Sequence, residues 1–251
     1  PSPLPLVDEA LLSRLARAVD ATLLTAWATP GEVERVAEEA CRFRVAAVCV
    51  LPYHARRVAG VVAGSGVAVA AAIAFPSGSA PPAVKAAEAA AAREEGAGEL
   101  DLVVNLGAIR AGEWDVLAAE VRAVRAAAPG CLTKWIVEQD ALTEAELRRA
   151  VAVIADSGGD YVKNATGYGP GGASVEGIRL LRSLAGTMGV KAAGGIRRRD
   201  LALALLDAGA DRIGTSATAA LLAPSAAAAS TAPPSTVAAP AVPGPAGTSR
   251  Y

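Results

Sequence analysis

The sequence predicts one (β/α)8 barrel, and three observations carry that expectation. Eight short runs of β-branched and small apolar residues alternate with longer Ala-rich amphipathic runs. Strand and helix patterns that alternate in this way imply a parallel sheet with crossover helices. At 251 residues the chain can form one large α/β domain whose core needs no disulfide or metal staple.

The candidate strands, in order, are 19–24, 46–51, 67–75, 100–105, 132–138, 161–164, 190–193 and 212–214. Helical patterns follow them at 31–44, 81–95, 114–128, 143–156, 175–184 and 199–208, and an extra helix at 7–18 precedes the first strand. Thr143 is placed to cap its helix, with Glu144 and Glu146 in the first turn where acids suit the dipole. The competing architecture is an open doubly wound sheet. Against it, no Gly-rich dinucleotide fingerprint follows the first strand. Beyond Leu222 the pattern stops. Residues 223–251 are almost entirely Ala, Pro, Ser, Thr, Gly and Val, which bury too little apolar surface to offset their ordering entropy. The expected organisation is a barrel domain, 1–222, and a disordered tail, 223–251.

Charge and cysteine content exclude several classes. Lys plus Arg is 24 and Asp plus Glu is 25, so neither nucleic acid nor an anionic membrane is an expected partner. The run Arg197-Arg198-Arg199 reads as a solvated helix start. Cys41, Cys49 and Cys131 form no CxxC pair, and an odd count without a signal-peptide pattern points to a reducing, cytoplasmic location. Cys49, inside an apolar run, reads as a buried small hydrophobe. His54 is the sole histidine and no metal-ligand cluster is visible, so no metal is expected. Trp27, Trp114 and Trp135 read as packing residues.

The chemistry is suggested by charges inside apolar strands. Asp101, Lys134, Lys163 and Lys191 fall on the fourth to seventh predicted strands, which are neighbours in a barrel. Any one of them could be an exposed or snorkelling side chain. Four on consecutive strands point to a polar cluster at the carboxyl mouth, where barrel enzymes place their sites. Lysines on adjacent strands could lie roughly 6 Å apart, a repulsion of about 3 kcal/mol at an effective dielectric near 20. One lysine could then be partly neutral, and a neutral amine is what attacks a carbonyl. Asp101 would hold the remaining cation and shuttle protons. Asp20 is a candidate contact of this network, or equally a turn or cap acid, and Glu138 is a candidate partner of Lys134. Gly171 and Gly172, Gly194 and Gly195, and Gly214 with Ser216 follow the last three strands. Gly-rich loops there commonly bind phosphate through backbone N–H groups.

Several of these stretches resemble the deoxyribose-phosphate aldolase family. They include Tyr161-Val162-Lys163-Asn164-Ala165-Thr166-Gly167, Lys191-Ala192-Ala193-Gly194-Gly195-Ile196-Arg197 and Arg212-Ile213-Gly214-Thr215-Ser216, with Glu99-Leu100-Asp101-Leu102-Val103-Val104-Asn105 upstream. The resemblance implies reversible cleavage of 2-deoxy-D-ribose 5-phosphate to acetaldehyde and D-glyceraldehyde 3-phosphate without a cofactor. It implies Lys163 as the Schiff-base residue, Lys191 as the second lysine that favours the neutral form of the first, and Asp101 as the acid/base group. Lys134, Asp20 and Tyr251 are auxiliary candidates, Tyr251 because the tail is long enough to fold back over the barrel mouth. The sequence departs from the family pattern at Asn164-Ala165, where Thr-Ser is usual, at Gln139, where Thr is usual, and at Ala21, where His is common. Two other readings stay open: a related Schiff-base aldolase acting on another sugar phosphate, and a silent barrel that binds one. The expected partner is a small sugar phosphate, and a homo-oligomer is compatible with the sequence.

Overall fold

The computed structural model describes residues 9–223, and in it eight parallel strands close into a barrel in sequence order. They are β1 (Val19–Leu23), β2 (Ala47–Val50), β3 (Ala68–Ile73), β4 (Glu99–Val103), β5 (Leu132–Ile136), β6 (Tyr161–Lys163), β7 (Gly189–Ala193) and β8 (Arg212–Thr215). The helices are α1 (Glu9–Ala16), α2 (Pro30–Phe43), α3 (Ala55–Val62), α4 (Pro82–Glu94), α5 (Leu106–Arg110), α6 (Trp114–Ala127), α7 (Glu144–Asp156), α8 (Val175–Leu184), α9 (Arg199–Asp207) and α10 (Thr218–Leu222). The fold class is the expected one. The first two residues of the helix expected at 7–18, residues 224–251 and Tyr251 lie outside the described residues.

Side chains alternate across the sheet, so each strand serves two cores. Val48, Val50, Ala71, Ile73, Leu100, Leu102, Trp135, Val162 and Val190 point outward and are buried under the helices. Burying each large apolar side chain contributes roughly 1.5–3 kcal/mol. Ala47, Cys49, Ala70 and Ala72 form a separate, smaller group with Leu24 inside the barrel. Burial on both faces explains why the strands read as nearly continuous apolar runs. Helix starts are fixed locally. Thr29 and Thr143 each form a capping box, with Glu32 and Glu146 respectively, so Thr143 is the cap expected for its helix.

Several expected strands run too long, and for two of them the backbone shows why. β3 stops at Ile73 because Ala74 has φ 52° and gives its N–H to the Glu88 carboxylate at 2.8 Å. β5 stops at Ile136, ahead of Glu138 with φ 44°. Helix α5 is additional to the eight expected strand–helix units; it, α3 and α10 span only 5, 8 and 5 residues, too short for a clear periodic signal. Trp27 is not a packing residue, since it is 83 % exposed, whereas Trp135 is fully buried. Between α4 and α6 the sequence reading missed a buried ion pair. Lys85 Nζ lies 2.7 Å from Glu120 Oε1 and also donates to the Val103 carbonyl at 2.8 Å. Glu120 accepts from Asn105 N at 3.3 Å, so this pair braces the carboxyl end of β4.

Candidate active site

The barrel register brings the charged residues together inside. Asp101 stands beside Lys134 in the β4–β5 pairing, and Lys163 beside Lys191 in the β6–β7 pairing. Asp101 Oδ1 accepts from Lys134 Nζ at 2.9 Å. Its Oδ2 accepts from both Lys163 Nζ at 2.8 Å and Lys191 Nζ at 2.6 Å. Asp20, on the inner face of β1, accepts from Lys191 at 2.5 Å and from Arg212 Nε at 2.8 Å. It therefore belongs to the network and is neither a turn acid nor a cap.

The structure corrects the sequence reading in three ways. First, the cluster does not all sit at the mouth. Asp101, Lys134 and Lys191 occupy the middle of their strands and are fully buried, and only Lys163, the last residue of β6, reaches the cavity. Second, Glu138 does not pair with Lys134. Lying beyond the end of β5, it accepts instead from the Thr166 backbone N–H, while Lys134 pairs with Glu99 at 2.6 Å. Third, Glu99 and Arg212 complete the network and were missed. Arg212 donates to Glu99 Oε2 at 2.8 Å. Glu99 precedes Asp101 by two residues, so the strand period was the signal that could have found it.

Among the described residues, this interior holds the cations Lys134, Lys163, Lys191 and Arg212 against the carboxylates Asp20, Glu99 and Asp101. Burial alone would raise Asp101, but Lys134, Lys163 and Lys191 outweigh it and hold its carboxyl well below the usual range. Burial alone would lower Lys191, but Asp101 and Asp20 outweigh it and hold Lys191 as a cation. The repulsion between lysines is thus mediated by a shared carboxylate oxygen, which the simple two-charge estimate left out. Lys163 is the least supported cation, with one carboxylate contact, to an oxygen that Lys191 also uses.

Above Lys163 lies a cavity of about 270 Å³. Gly194, Gly195, Gly214 and Ser216, the candidate phosphate-loop residues, line it, and so does Arg197, which the sequence reading left as solvated. Gly194 and Gly195 have φ 98° and 76°, a backbone that glycine adopts without strain. Thr215 steadies this turn by donating to the Ile196 carbonyl at 2.6 Å. Gly171 and Gly172 are not among the lining residues. A Cβ on Gly171 would run into the Asp140 carboxylate, and one on Gly172 would come 2.9 Å from the Gly194 carbonyl oxygen. Their glycine requirement is close packing. Opposite, Tyr168 donates to the Leu24 carbonyl at 3.2 Å and meets Phe75 edge-on at 5.3 Å, so it walls one side of the cavity. No group of His, Cys, Asp and Glu among the described residues is arranged to hold a metal ion, and no described helix is long and apolar enough to cross a membrane.

A buried amine at a barrel mouth, backed by a carboxylate and a second lysine and facing a glycine turn, is suited to carbonyl chemistry on an anionic substrate. Known proteins point the same way. No family model matches the chain. The deoxyribose-phosphate aldolase of Mycobacterium avium is 46 % identical over 216 residues, 84 % of this chain and 96 % of its own. That of Desulfitobacterium hafniense is 41 % identical over 211 residues, 83 % and 97 % of the two chains. The solved tetrameric deoxyribose phosphate aldolase from Aeropyrum pernix is 33 % identical, covering 84 % of this chain and 90 % of its own, with a TM-score of 0.78. With identity at this level across nearly the whole of those relatives, the chain belongs to the deoxyribose-phosphate aldolase family.

Proposed function

We propose that the chain reversibly cleaves 2-deoxy-D-ribose 5-phosphate to acetaldehyde and D-glyceraldehyde 3-phosphate through a Schiff base on Lys163. The observation that carries this is the placement of Lys163 Nζ. Of the three lysines in the network it alone lines the cavity, and among the described residues its one ionic partner is Asp101. Lys163, as the free amine, adds to the C1 aldehyde of the open-chain sugar, and loss of water gives an iminium. A proton leaves the C3 hydroxyl, C3 becomes the new aldehyde carbon, and the electron pair of the C2–C3 bond passes into the iminium. Acetaldehyde carries C1 and C2, so C2–C3 is the bond that breaks, and a C3–C4 break would not give these products. The enamine left on Lys163 takes a proton at C2, and water then releases acetaldehyde and the free lysine.

Asp101 orients the amine and passes protons. The lysines around it outweigh its burial and hold its carboxyl well below the usual range. Lys191 supplies the fixed positive charge beside the reacting nitrogen. The Gly194-Gly195 turn, with Arg197 and Ser216, takes the phosphate. Borohydride reduction in the presence of acetaldehyde, followed by peptide mass mapping, tests the assignment. An ethyl adduct on Lys163 is expected. An adduct on a different lysine, or none, would overturn it.

A further inference from the structure

Asn164 follows Lys163 directly and is buried, with 2 % of its surface exposed. Its amide joins two separate segments. Nδ2 donates to the Gly172 carbonyl at 3.1 Å, and Oδ1 accepts from the Ala193 backbone N–H at 2.7 Å. Gly172 belongs to the loop between β6 and α8, whereas Ala193 ends β7 and lines the cavity. Alongside, the Ala173 N–H donates to the Gly194 carbonyl at 3.0 Å. Backbone packs on backbone here, because a Cβ on Gly194 would come 2.9 Å from Gly172 Cα. Asn164 supplies a donor and an acceptor from one planar group, which a smaller side chain cannot stretch across the same gap.

We propose that Asn164 is a positioning residue that ties the β6–α8 loop to the Gly194-Gly195 turn and so sets the affinity for the phosphate end of the substrate. The proposal rests on the reading that this turn takes the phosphate. Its consequence is selective. Losing the tie loosens the turn that meets the phosphate, while Lys163, Asp101 and Lys191 keep their own contacts, none of which involves the Asn164 side chain.

The test compares 2-deoxyribose 5-phosphate with unphosphorylated 2-deoxyribose, and adds inorganic phosphate as a competitive inhibitor. In Asn164→Ala, two hydrogen bonds are lost, and KM for the ester should rise about tenfold. Phosphate inhibition should weaken by a similar factor. For the ester kcat, and for 2-deoxyribose kcat/KM, should stay within about twofold. Gly172→Ala forces the same two segments apart from the other side and should show the same split. If Asn164→Ala does not fold, Gly172→Ala and Asn164→Ser carry the measurement. Equal losses on both substrates, or an unchanged KM for the ester, would overturn the role of Asn164. A wild-type enzyme with neither a preference for the ester nor inhibition by phosphate would instead fault the phosphate turn itself, and the proposal with it.

Discussion

Replacing Asp20 with Asn should destabilise the barrel strongly at neutral pH and much less in acid. Asp20 is fully buried and touches Lys191 at 2.5 Å, Arg212 at 2.5 Å and Lys134 at 3.7 Å. The substitution keeps the shape and removes the charge. It leaves four cations facing only Glu99 and Asp101. Removing one partner of a buried ion pair typically costs about 3–5 kcal/mol, a large share of the roughly 5–15 kcal/mol by which a domain is stable. The pH dependence follows from the direction of the Asp20 shift. Burial raises its pKa, but Lys191, Lys134 and Arg212 outweigh burial and the net shift is downward. A depressed carboxylate contributes stability that is present above its unfolded value, about 3.9, and is lost as pH falls through the folded value. Urea unfolding of wild type and Asp20→Asn at pH 7 and at successive steps below pH 4 reads this out. The gap should be several kcal/mol at pH 7 and should narrow steadily in acid. A gap below about 1 kcal/mol at pH 7, or one that widens on acidification, would refute the charge account of Asp20.

Lys163→Met should abolish borohydride trapping and lower kcat for cleavage by at least about a thousandfold. Its urea midpoint should fall far less than that of Asp20→Asn, because the remaining three cations then match three carboxylates. Lys85→Met should cost about 3–5 kcal/mol in urea unfolding by stranding Glu120, and adding Glu120→Leu should restore much of the loss. An additive double mutant would deny that coupling. EDTA should leave turnover unchanged, and inactivation reversed by a divalent metal would move the enzyme to a metal-dependent class.

How much of this was legible in the sequence depended on how far each feature needed the closed barrel. Strands buried on both faces read clearly from their apolar runs, and a lysine or aspartate within such a run stood out against them. Asp101, Lys134, Lys163 and Lys191 were found that way. Asp20, Glu99 and Arg212 lie at or next to strand starts, where a charge looks like the end of a loop. Only register places them inward, since Asp20 lies level with Gly214 and Lys191 level with Arg212. Gly171 and Gly172 read as phosphate ligands because glycine allows close approach. Which partner approaches, an anion or the Asp140 and Gly194 atoms, is a matter of loop path and not of composition. The same limit hid the two contacts of Asn164, which come from segments far apart in the chain.

The charges are also how the barrel fills its own interior. Around β2 and β3 the inward residues are small: Ala47, Cys49, Ala70 and Ala72. Across from them stand the long side chains of Lys134, Lys191 and Arg212. Large residues facing small ones pack a barrel well, and here the large ones are aliphatic stems that end in charge. Cys49 feels this proximity. Burial pushes its thiol up to about 11, with Asp101 adding to the rise and Lys191, Lys163 and Lys134 opposing it. The network is therefore part of the core, and a substitution at Asp101, Lys134 or Lys191 changes packing and charge balance at once. Lys163 is the exception. It sits at the top of the stack, lines the cavity and, among the described residues, has one ionic partner.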